Sequence, residues 1–245
     1  MSHKFAVLTG ASSGIGGAIA LKLAKSGYSI ALVGRNQTRL NEIKTKIDTV
    51  GVSSWIFTTD LNTFEGTNKL ISQVKSEVKQ VDVLINTAAI WHGENEVFAG
   101  RDFDTFPQSV VSDTMMVGIM APALLCHAFI PLMPPKSKII NISGTFENGG
   151  KGWIPYFVSK RGIEDLTIGL ADELKQKDIQ VNCVSPSDTA TPAYEKYFPE
   201  YINDSIDPEE IAKLITKLCS PESDDITGKV FVMKKDQPDT EKFHA

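Results

Sequence analysis

Two side chains capable of acid–base chemistry stand one helical turn apart in this sequence. Tyr156 and Lys160 are four residues apart, and apolar residues follow them at helical spacing: Ile163, Leu166, Leu170 and Leu174. Residues four apart lie on the same side of a helix, so the phenol and the amine are predicted neighbours. A nearby ammonium favours the phenolate and lowers a pKa that is ordinarily roughly 10. The pair is a candidate general acid/base, although a half-buried tyrosine beside a solvated lysine is the simpler interpretation of these two residues alone.

A glycine-rich turn follows the first predicted strand, residues 4–9. It carries Gly10, Ser12, Ser13, Gly14, Ile15 and Gly16, and a helix follows that ends at Gly27. Glycines between a strand and a helix N-terminus let backbone N–H groups approach a pyrophosphate, and the helix dipole adds attraction. A flexible strand–helix turn is the alternative. The place at the first strand of a strand–helix–strand pattern favours phosphate binding.

Strands and helices alternate along most of the chain. The predicted strands cover residues 4–9, 28–33, 54–58, 81–85, 138–142, 179–184 and 228–233, and the predicted helices cover 15–27, 39–50, 63–79, about 109–132, a segment from 156 and a segment from 207 to about 219. This alternation predicts an α/β fold of the Rossmann-like, doubly wound type, with a parallel sheet and helices on both faces, in a single domain over 1–245. Residues 191–206 have no clear period and are a candidate substrate lid, and the charged tail 234–245 is expected to be loose.

Composition is that of an ordinary soluble globular protein. Hydrophobic residues make up 42% and charged residues 22%, and the formal net charge is −5 with scattered basic residues. This argues against nucleic-acid binding. The three cysteines have no CxxC pairing and are interpreted as core residues, and we assign no metal ligands. No apolar run is judged long enough to cross a membrane, and no signal peptide is recognised, so a cytoplasmic location is expected.

The combination of Thr9-Gly10-Ala11-Ser12-Ser13-Gly14-Ile15-Gly16 with Tyr156 and Lys160 resembles the short-chain dehydrogenase/reductase family. The resemblance spans nearly the whole chain, and it implies an oxidoreductase that binds a nicotinamide dinucleotide. In that family, the glycine motif, an Asp–aliphatic pair, an Asn-Asn-Ala-Gly segment and a Pro-Gly segment contact the cofactor. The corresponding residues here are Gly10, Ser12, Ser13, Gly14, Ile15, Gly16, Asp60, Leu61, Asn86, Ala88, Tyr156, Lys160, Pro186, Thr189 and Thr191.

The end of the second strand bears on cofactor choice. Members that prefer NAD tend to carry an acid there, whereas this chain has Arg35. An arginine cannot accept a hydrogen bond from a ribose hydroxyl, but it can pair with a 2′-phosphate, and Ser12 or Ser13 can donate to the same group. We therefore expect NADP(H) to be preferred over NAD(H). An exposed arginine that caps a turn is the alternative.

Two catalytic positions depart from the family pattern. Counting back thirteen residues from Tyr156 gives Ser143 as the serine that binds the substrate oxygen, whereas matching the usual Asn-Ile-Ser-Ser string puts Gly144 in that place. We choose Ser143, with Thr145 as the fallback. Met115 stands where members often carry an asparagine three residues before a glycine, here Gly118. A thioether is a poor substitute for that amide in a proton relay.

The implied chemistry is reversible hydride transfer between NADP(H) and a carbonyl/alcohol substrate, with Tyr156 as general acid/base. A cofactor-binding regulatory protein with little or no catalysis is the main alternative, and Met115 and Gly144 favour it. An epimerase or dehydratase is a third, which the chain length disfavours. A homodimer or homotetramer is expected from the resemblance. Aromatic residues in segments that border the family's active site suggest an apolar or aromatic small-molecule substrate: Trp91, Phe146, Trp153, Tyr194, Tyr197 and Phe198, with His92 as a further candidate.

Overall fold

The computed structural model describes residues 4–12, 14–93 and 95–245. Its strands are β1 (Phe5–Thr9), β2 (Ser29–Gly34), β3 (Ser54–Thr58), β4 (Val83–Asn86), β5 (Lys138–Ile142), β6 (Gln180–Pro186), β7 (Val230–Met233) and β8 (Thr240–Glu241). They form one sheet in the order β3-β2-β1-β4-β5-β6-β7-β8. Every neighbouring pair is parallel except β7 and β8. The doubly wound parallel sheet predicted from the sequence is therefore confirmed.

The α-helices connect successive strands. They are α1 (Gly14–Lys25), α2 (Gln37–Asp48), α3 (Phe64–Glu77), α4 (Gln108–Met115), α5 (Ala121–Phe129), α6 (Ile154–Leu174), α7 (Pro192–Tyr197) and α8 (Pro208–Leu218). Local chemistry sets several of their starts. Asp207 caps α8 by accepting a hydrogen bond from the Glu209 N–H at 2.9 Å, as its sequence predicts. Thr63 caps α3 in the same way.

The core lies on both faces of the sheet. All five residues of β1 are buried, and their side chains alternate between two apolar clusters, Phe5 and Val7 in one and Ala6 and Leu8 in the other. A strand buried on both faces reads as a continuous apolar run, which is why the sequence marks it so clearly. The three cysteines are buried and unpaired, as expected from the sequence.

A π-helical turn interrupts the long helical segment between β4 and β5. Met116–Met120 forms this turn between α4 and α5, and its Gly118 packs so closely on α6 that an added Cβ would lie 2.8 Å from Cβ of Ser159. The whole segment Gln108–Leu132 has a mean hydropathy of 1.9 in its most apolar window, so by length and composition alone it is long enough to span a membrane. The expectation that no apolar run reaches this length was wrong. Of that window, 44% is buried inside the fold, and core helices of soluble proteins pass the same test.

A buried polar chain ties α6 to the sheet. Asn86 of β4 donates to Asn141 of β5 at 2.9 Å, Asn141 donates to Thr167 of α6 at 2.9 Å, and Thr167 donates to the Ile163 carbonyl at 2.8 Å. This chain fixes the helix that carries Tyr156 against the two central strands.

Two segments are more ordered than the sequence suggests. Residues 191–206, predicted to be irregular, contain α7 and a 3₁₀ segment, Pro199–Asp204. The tail expected to be loose forms β8, which pairs antiparallel with β7, and Ala245 is 8% exposed. The main-chain oxygen of Ala245 accepts hydrogen bonds from the Phe146 N–H at 3.1 Å and from Arg161 at 2.7 Å. β8 depends on a distant partner strand, which the local sequence does not reveal, whereas α7 has a local start signal that the prediction did not use, the Thr191 cap with Pro192 at the first helical position.

Candidate active site

A cleft of about 320 Å³ opens at the carboxyl ends of β1, β2 and β4. This edge, where the strand order reverses, is where open α/β sheets bind ligands. The lining includes ten residues that the sequence predicted: Gly10, Ser12, Gly14, Ile15, Gly16, Arg35, Asp60, Leu61, Ala88 and Thr191. Ser13, predicted with them, lies outside the described residues.

The glycines of the first turn allow close backbone packing beside the cleft. A Cβ on Gly16 would lie 2.1 Å from the Gly10 carbonyl oxygen, so no other residue fits without moving the backbone. Gly10 has a φ of +70°, and its own Cβ would lie 3.0 Å from the Ala88 nitrogen. The Thr9 hydroxyl accepts hydrogen bonds from the N–H groups of Thr87 and Ala88 at 3.1 and 3.2 Å. The turn after β1 and the turn after β4 are thereby joined into one wall.

The charges at the cleft suit an anionic ligand at one end. Arg35 is exposed at the end of β2, and it forms no ion pair among residues 4–12, 14–93 and 95–245. Asp60 also lines the cleft, but its carboxylate already accepts a hydrogen bond from the Asn62 N–H at 3.0 Å. The first residues of α1 and the Arg35 guanidinium, which has no ion pair within the described part of the chain, thus line the same cleft. These residues fit a phosphate-bearing dinucleotide.

Five predicted cofactor residues do not line this cleft: Asn86, Tyr156, Lys160, Pro186 and Thr189. Asn86 is 3% exposed and belongs to the buried polar chain described above. Pro186 is the buried last residue of β6, and Thr189, 8% exposed, bonds to the Ser187 carbonyl. Their predicted cofactor contacts stay predictions.

Tyr156 and Lys160 lie on α6 beside the carboxyl end of β5. The Lys160 Nζ donates to the Ile142 carbonyl at 2.8 Å and lies 5.3 Å from the centre of the Tyr156 ring. Lys160 is 4% exposed, and Tyr156 is partly exposed beside a small cavity of about 10 Å³ that it shares with Thr114 and Trp153. The predicted neighbours are therefore brought together at the functional edge of the sheet.

The expected lowering of the phenol pKa is not found. Burial raises the pKa of Tyr156 above its ordinary value, and the negative charge of Asp188 adds to the effect. Burial also lowers the pKa of Lys160 to about 8. The physical reason is that the protein withdraws both groups from water, which disfavours the charged form of each. Tyr156 is accordingly a protonated phenol at neutral pH, suited to donate a proton.

The family comparison agrees with this geometry. The model of the short chain dehydrogenase family matches residues 4–201. The chain belongs to the short-chain dehydrogenase family. It is an oxidoreductase of the type that acts on alcohol and keto groups of small molecules with a nicotinamide cofactor.

Individual members share the fold over nearly the full chain. A 1,6-dihydroxycyclohexa-2,4-diene-1-carboxylate dehydrogenase from Acinetobacter baylyi is 28% identical over 254 residues, covering 93% of this chain and 94% of its own. Dehydrogenase/reductase SDR family member 4 from Homo sapiens is 27% identical, covering 95% and 87%. Among solved structures, a blue fluorescent protein from a metagenomic library, in complex with NADPH, superposes with a TM-score of 0.84 at 25% identity, covering 94% and 96%.

The segment after β5 contains the three residues considered for binding the substrate oxygen: Ser143, Gly144 and Thr145. The N–H groups of Ser143 and Thr145 donate to the carbonyls of Val184 and Pro186, so the extended pairing continues past the end of β5. Ser143 and Thr145 therefore share one face of the sheet with Asn141, which bonds to α6, while Gly144 lies on the other. The Ser143 hydroxyl is buried beside the Cys183 thiol, a weak hydrogen-bonding group, and has no other hydrogen-bond partner among the described residues. A Cβ on Gly144 would meet nothing closer than 3.9 Å.

Met115 occupies the last position of α4, immediately before the π-helical turn. Turns of this kind occur frequently at functional sites. Thr114, buried next to it, lines the small cavity at Tyr156, but its hydroxyl is engaged with the Val110 carbonyl at 2.7 Å. No amide from this helix replaces the usual asparagine at the cavity.

Aromatic rings from three loops close the space over Tyr156. Trp91 lies parallel to Trp153, with centroids 6.2 Å apart, and to Tyr194 of α7 at 5.7 Å. Phe146 and Trp153 lie 5.9 and 6.4 Å from the Tyr156 ring. The remaining two aromatic residues named from the sequence, Tyr197 and Phe198, also contact Trp91. The six predicted aromatic residues therefore form a connected set of rings, and two of them, Phe146 and Trp153, contact Tyr156 directly.

His92 is packed within this aromatic cluster. It stacks on Trp153 at 5.4 Å, and its Nδ1 accepts a hydrogen bond from the Phe98 N–H at 3.0 Å. Burial lowers its pKa to about 4, so the imidazole is neutral at pH 7. His92, named from the sequence as a further candidate, is therefore a half-buried member of the aromatic cluster.

Sequence reasoning missed nine cleft residues: Val33, Gly34, Thr59, Thr87, Ala89, Ile90, Val117, Pro192 and Ala193. Five of them directly precede or follow a predicted position, so extending each motif by one residue would have found these five: Gly34, Thr59, Thr87, Ala89 and Pro192. Val117 had no such signal, because the π-helical turn sets which side chains of that segment face the cleft.

Proposed function

We propose that this protein is an NADP(H)-dependent carbonyl reductase or alcohol dehydrogenase in which Tyr156 is the general acid/base. The observation that carries the proposal is the placement of Tyr156 and Lys160 at the carboxyl end of β5, on the same edge of the sheet as the glycine-lined cleft. A dinucleotide whose phosphates lie at the α1 N-terminus can reach that place along the sheet edge.

Arg35 supports the preference for NADP(H). Its guanidinium is exposed at the cleft and unpaired among the described residues, and no acid stands at the end of β2. A 2′-phosphate would supply the missing counter-charge through charge-assisted hydrogen bonds. The solved relative that binds NADPH is compatible with this preference.

Side chains of the protein would supply the proton and hydrogen-bond the substrate oxygen. The nicotinamide, when bound, supplies or accepts the hydride. Tyr156, protonated at neutral pH, donates its proton to the oxygen of the reduced carbonyl. Ser143, whose hydroxyl has no partner other than the Cys183 thiol, hydrogen-bonds the same oxygen. Lys160 holds the ribose hydroxyls with the donors that the Ile142 carbonyl leaves free.

Tyr156→Phe tests the proposal, with the exposed Tyr201→Phe as a matched control. Carbonyl-dependent oxidation of NADPH, followed by the loss of its absorbance across a broad set of carbonyl compounds, should fall roughly 100-fold or more in the first variant. It should stay unchanged in the second. Near wild-type turnover by Tyr156→Phe would rule out the assigned acid.

A cofactor-binding regulatory protein is the second candidate. Gly144 offers no hydroxyl in one of the two alignments, and Met115 replaces the usual amide. On this hypothesis NADPH binds tightly and no carbonyl compound is reduced. Fluorescence titration of NADPH, combined with the same carbonyl screen, separates the two functions.

We also propose an apolar or aromatic substrate, a cytoplasmic location and a homodimer or homotetramer. The aromatic rings around Tyr156 support the first. Exposed Met120 and Val158, at 43% and 42%, support an interface on the α4–α6 surface. Light scattering on the purified protein tests the assembly, and fractionation of the source cells tests the location.

A further inference from the structure

A third ionisable residue continues the row of Tyr156 and Lys160 on α6. Glu164 follows Lys160 by four residues, so all three lie on the same side of the helix. Glu164 is 0% exposed and Lys160 is 4% exposed. Acidic and basic side chains are almost never this buried unless they are paired. Below Tyr156, α6 therefore carries two buried side chains of opposite charge, Lys160 and Glu164, one helical turn apart.

Neither charge is fully compensated by hydrogen bonds. An ammonium has three donors, and the Lys160 Nζ uses one of them, on the Ile142 carbonyl. The Glu164 Oε2 accepts a hydrogen bond from the His244 N–H at 2.8 Å and lies 3.6 Å from Nη1 of Arg161. The Glu164 Oε1 has no partner among the described residues. A buried carboxylate oxygen without a donor is costly, so a nearby positive charge has to stabilise it.

The C-terminal segment, residues 240–245, holds this carboxylate in place. It pairs with β7 through β8, donates from His244 to Glu164, and accepts from Arg161 and Phe146 at Ala245. The segment therefore connects the loop after β5 to the helix turn that carries Lys160. It also covers Glu164 from water.

We propose that Glu164 is a positioning residue, whose buried carboxylate keeps Lys160 in its ammonium form beside Tyr156 while the C-terminal segment fixes the carboxylate's orientation. The role of Lys160 rests on the proposed function. The charge pair itself does not depend on turnover.

No ion pair or hydrogen bond joins Lys160 to Glu164 among the described residues, so the carboxylate acts on the ammonium through space, from one helical turn away. Burial lowers the pKa of Lys160 to about 8, and Cys183 of β6 and Glu164 act in the opposite direction. The Cys183 thiol is itself held neutral, because burial raises its pKa to about 12. Arg161 bears the same sign as Lys160, and His244 faces Asp165 at 3.5 Å rather than Lys160. Without Glu164, the amine would lose its proton nearer to neutral pH.

Urea unfolding of the protein without cofactor, measured from pH 6 to 10, tests the pair. A lysine whose pKa is lower in the folded than in the unfolded state destabilises the fold while charged, and the fold gains stability as pH rises between the two pKa values. In Glu164→Gln, which keeps a hydrogen-bond acceptor for His244, this gain should begin about 1 pH unit lower than in the wild type. Glu173→Gln, the same change at an exposed residue of α6 that has no ion pair among the described residues, is the matched control and should leave the profile unchanged. Glu164→Asp, which keeps the charge, should retain the wild-type onset.

A second background separates charge from packing. In Lys160→Met, the substitution Glu164→Gln should no longer shift the profile, because the titrating partner is gone. An equal loss of stability at every pH in Glu164→Gln and Glu164→Asp, with no change of onset, would overturn the proposal and leave Glu164 as an anchor for the tail. If the unfolding profiles shift as expected while no carbonyl compound is reduced, the proposed function fails and the charge pair stands.

Discussion

Replacing Arg35 by alanine should weaken NADPH binding and leave NADH binding unchanged. Arg35 lines the cleft at the end of β2, is exposed, and forms no ion pair with any described residue. A charge-assisted hydrogen bond contributes about 1.5–3 kcal/mol, which corresponds to roughly 10- to 150-fold in the dissociation constant. Because the guanidinium is open to solvent, salt screens the contact, and we expect about tenfold at physiological ionic strength and more at low salt.

Quenching of tryptophan fluorescence measures both cofactors with the same signal. Arg39→Ala is the matched control. Arg39 lies four residues after Arg35, in α2, is also exposed, and does not line the cleft. Arg35→Lys should recover part of the loss, because an ammonium keeps the charge without the bidentate geometry. A loss of the same size for NADH as for NADPH would refute the assignment of Arg35 to the 2′-phosphate. So would an unchanged dissociation constant for NADPH in Arg35→Ala.

Two further predictions concern stability. Gly16→Ala should destabilise the fold and abolish NADPH binding, because its Cβ would lie 2.1 Å from the Gly10 carbonyl oxygen. Gly169→Ala in α6 is the matched control: a Cβ there has no atom within 4 Å, so thermal unfolding should show a stabilisation of about 0.5–1 kcal/mol. Opposite results for the two alanines would contradict the packing described for the turn. Asp224→Asn should lower the free energy of unfolding at pH 7 by about 3 kcal/mol, because it removes the carboxylate that pairs with the buried Lys138 at 2.7 Å. That pairing lowers the pKa of Asp224, so the difference from wild type should be full above about pH 4 and fade as pH falls further. A difference that persists undiminished at pH 2 in urea titrations would show that the carboxylate charge is not its source.

Features set by neighbouring residues in the sequence were predictable. β1 is marked by its apolar run, α8 by the Asp207 cap, and the pairing of Tyr156 with Lys160 by the geometry of a single helix. The glycine spacing located the cleft for the same reason, because one strand–turn–helix unit contains it. Each of these depends on contacts within a few residues.

Features set by distant residues were not predictable. β8 exists because β7 offers it an edge. The placement of α7, though not its start at the Thr191 cap, depends on the loop after β4, where the Tyr197 hydroxyl donates to the Gly93 carbonyl at 2.6 Å. The direction of the Tyr156 pKa depends on how much protein surrounds the phenol, which a helical spacing does not report. The burial of Glu164 had no sequence signal, since an acid in that helix reads as a solvated residue.

The buried polar chain of Asn86, Asn141 and Thr167 limits which parts of this protein can vary in sequence during evolution. Asn141 and Thr167 each accept one hydrogen bond and donate another, so sliding or turning α6 by one residue would leave buried polar groups without partners. These buried hydrogen bonds therefore fix the register of α6 on the sheet. The aromatic loops take no part in them. New substrate preferences can therefore arise in those loops without disturbing where the phenol stands.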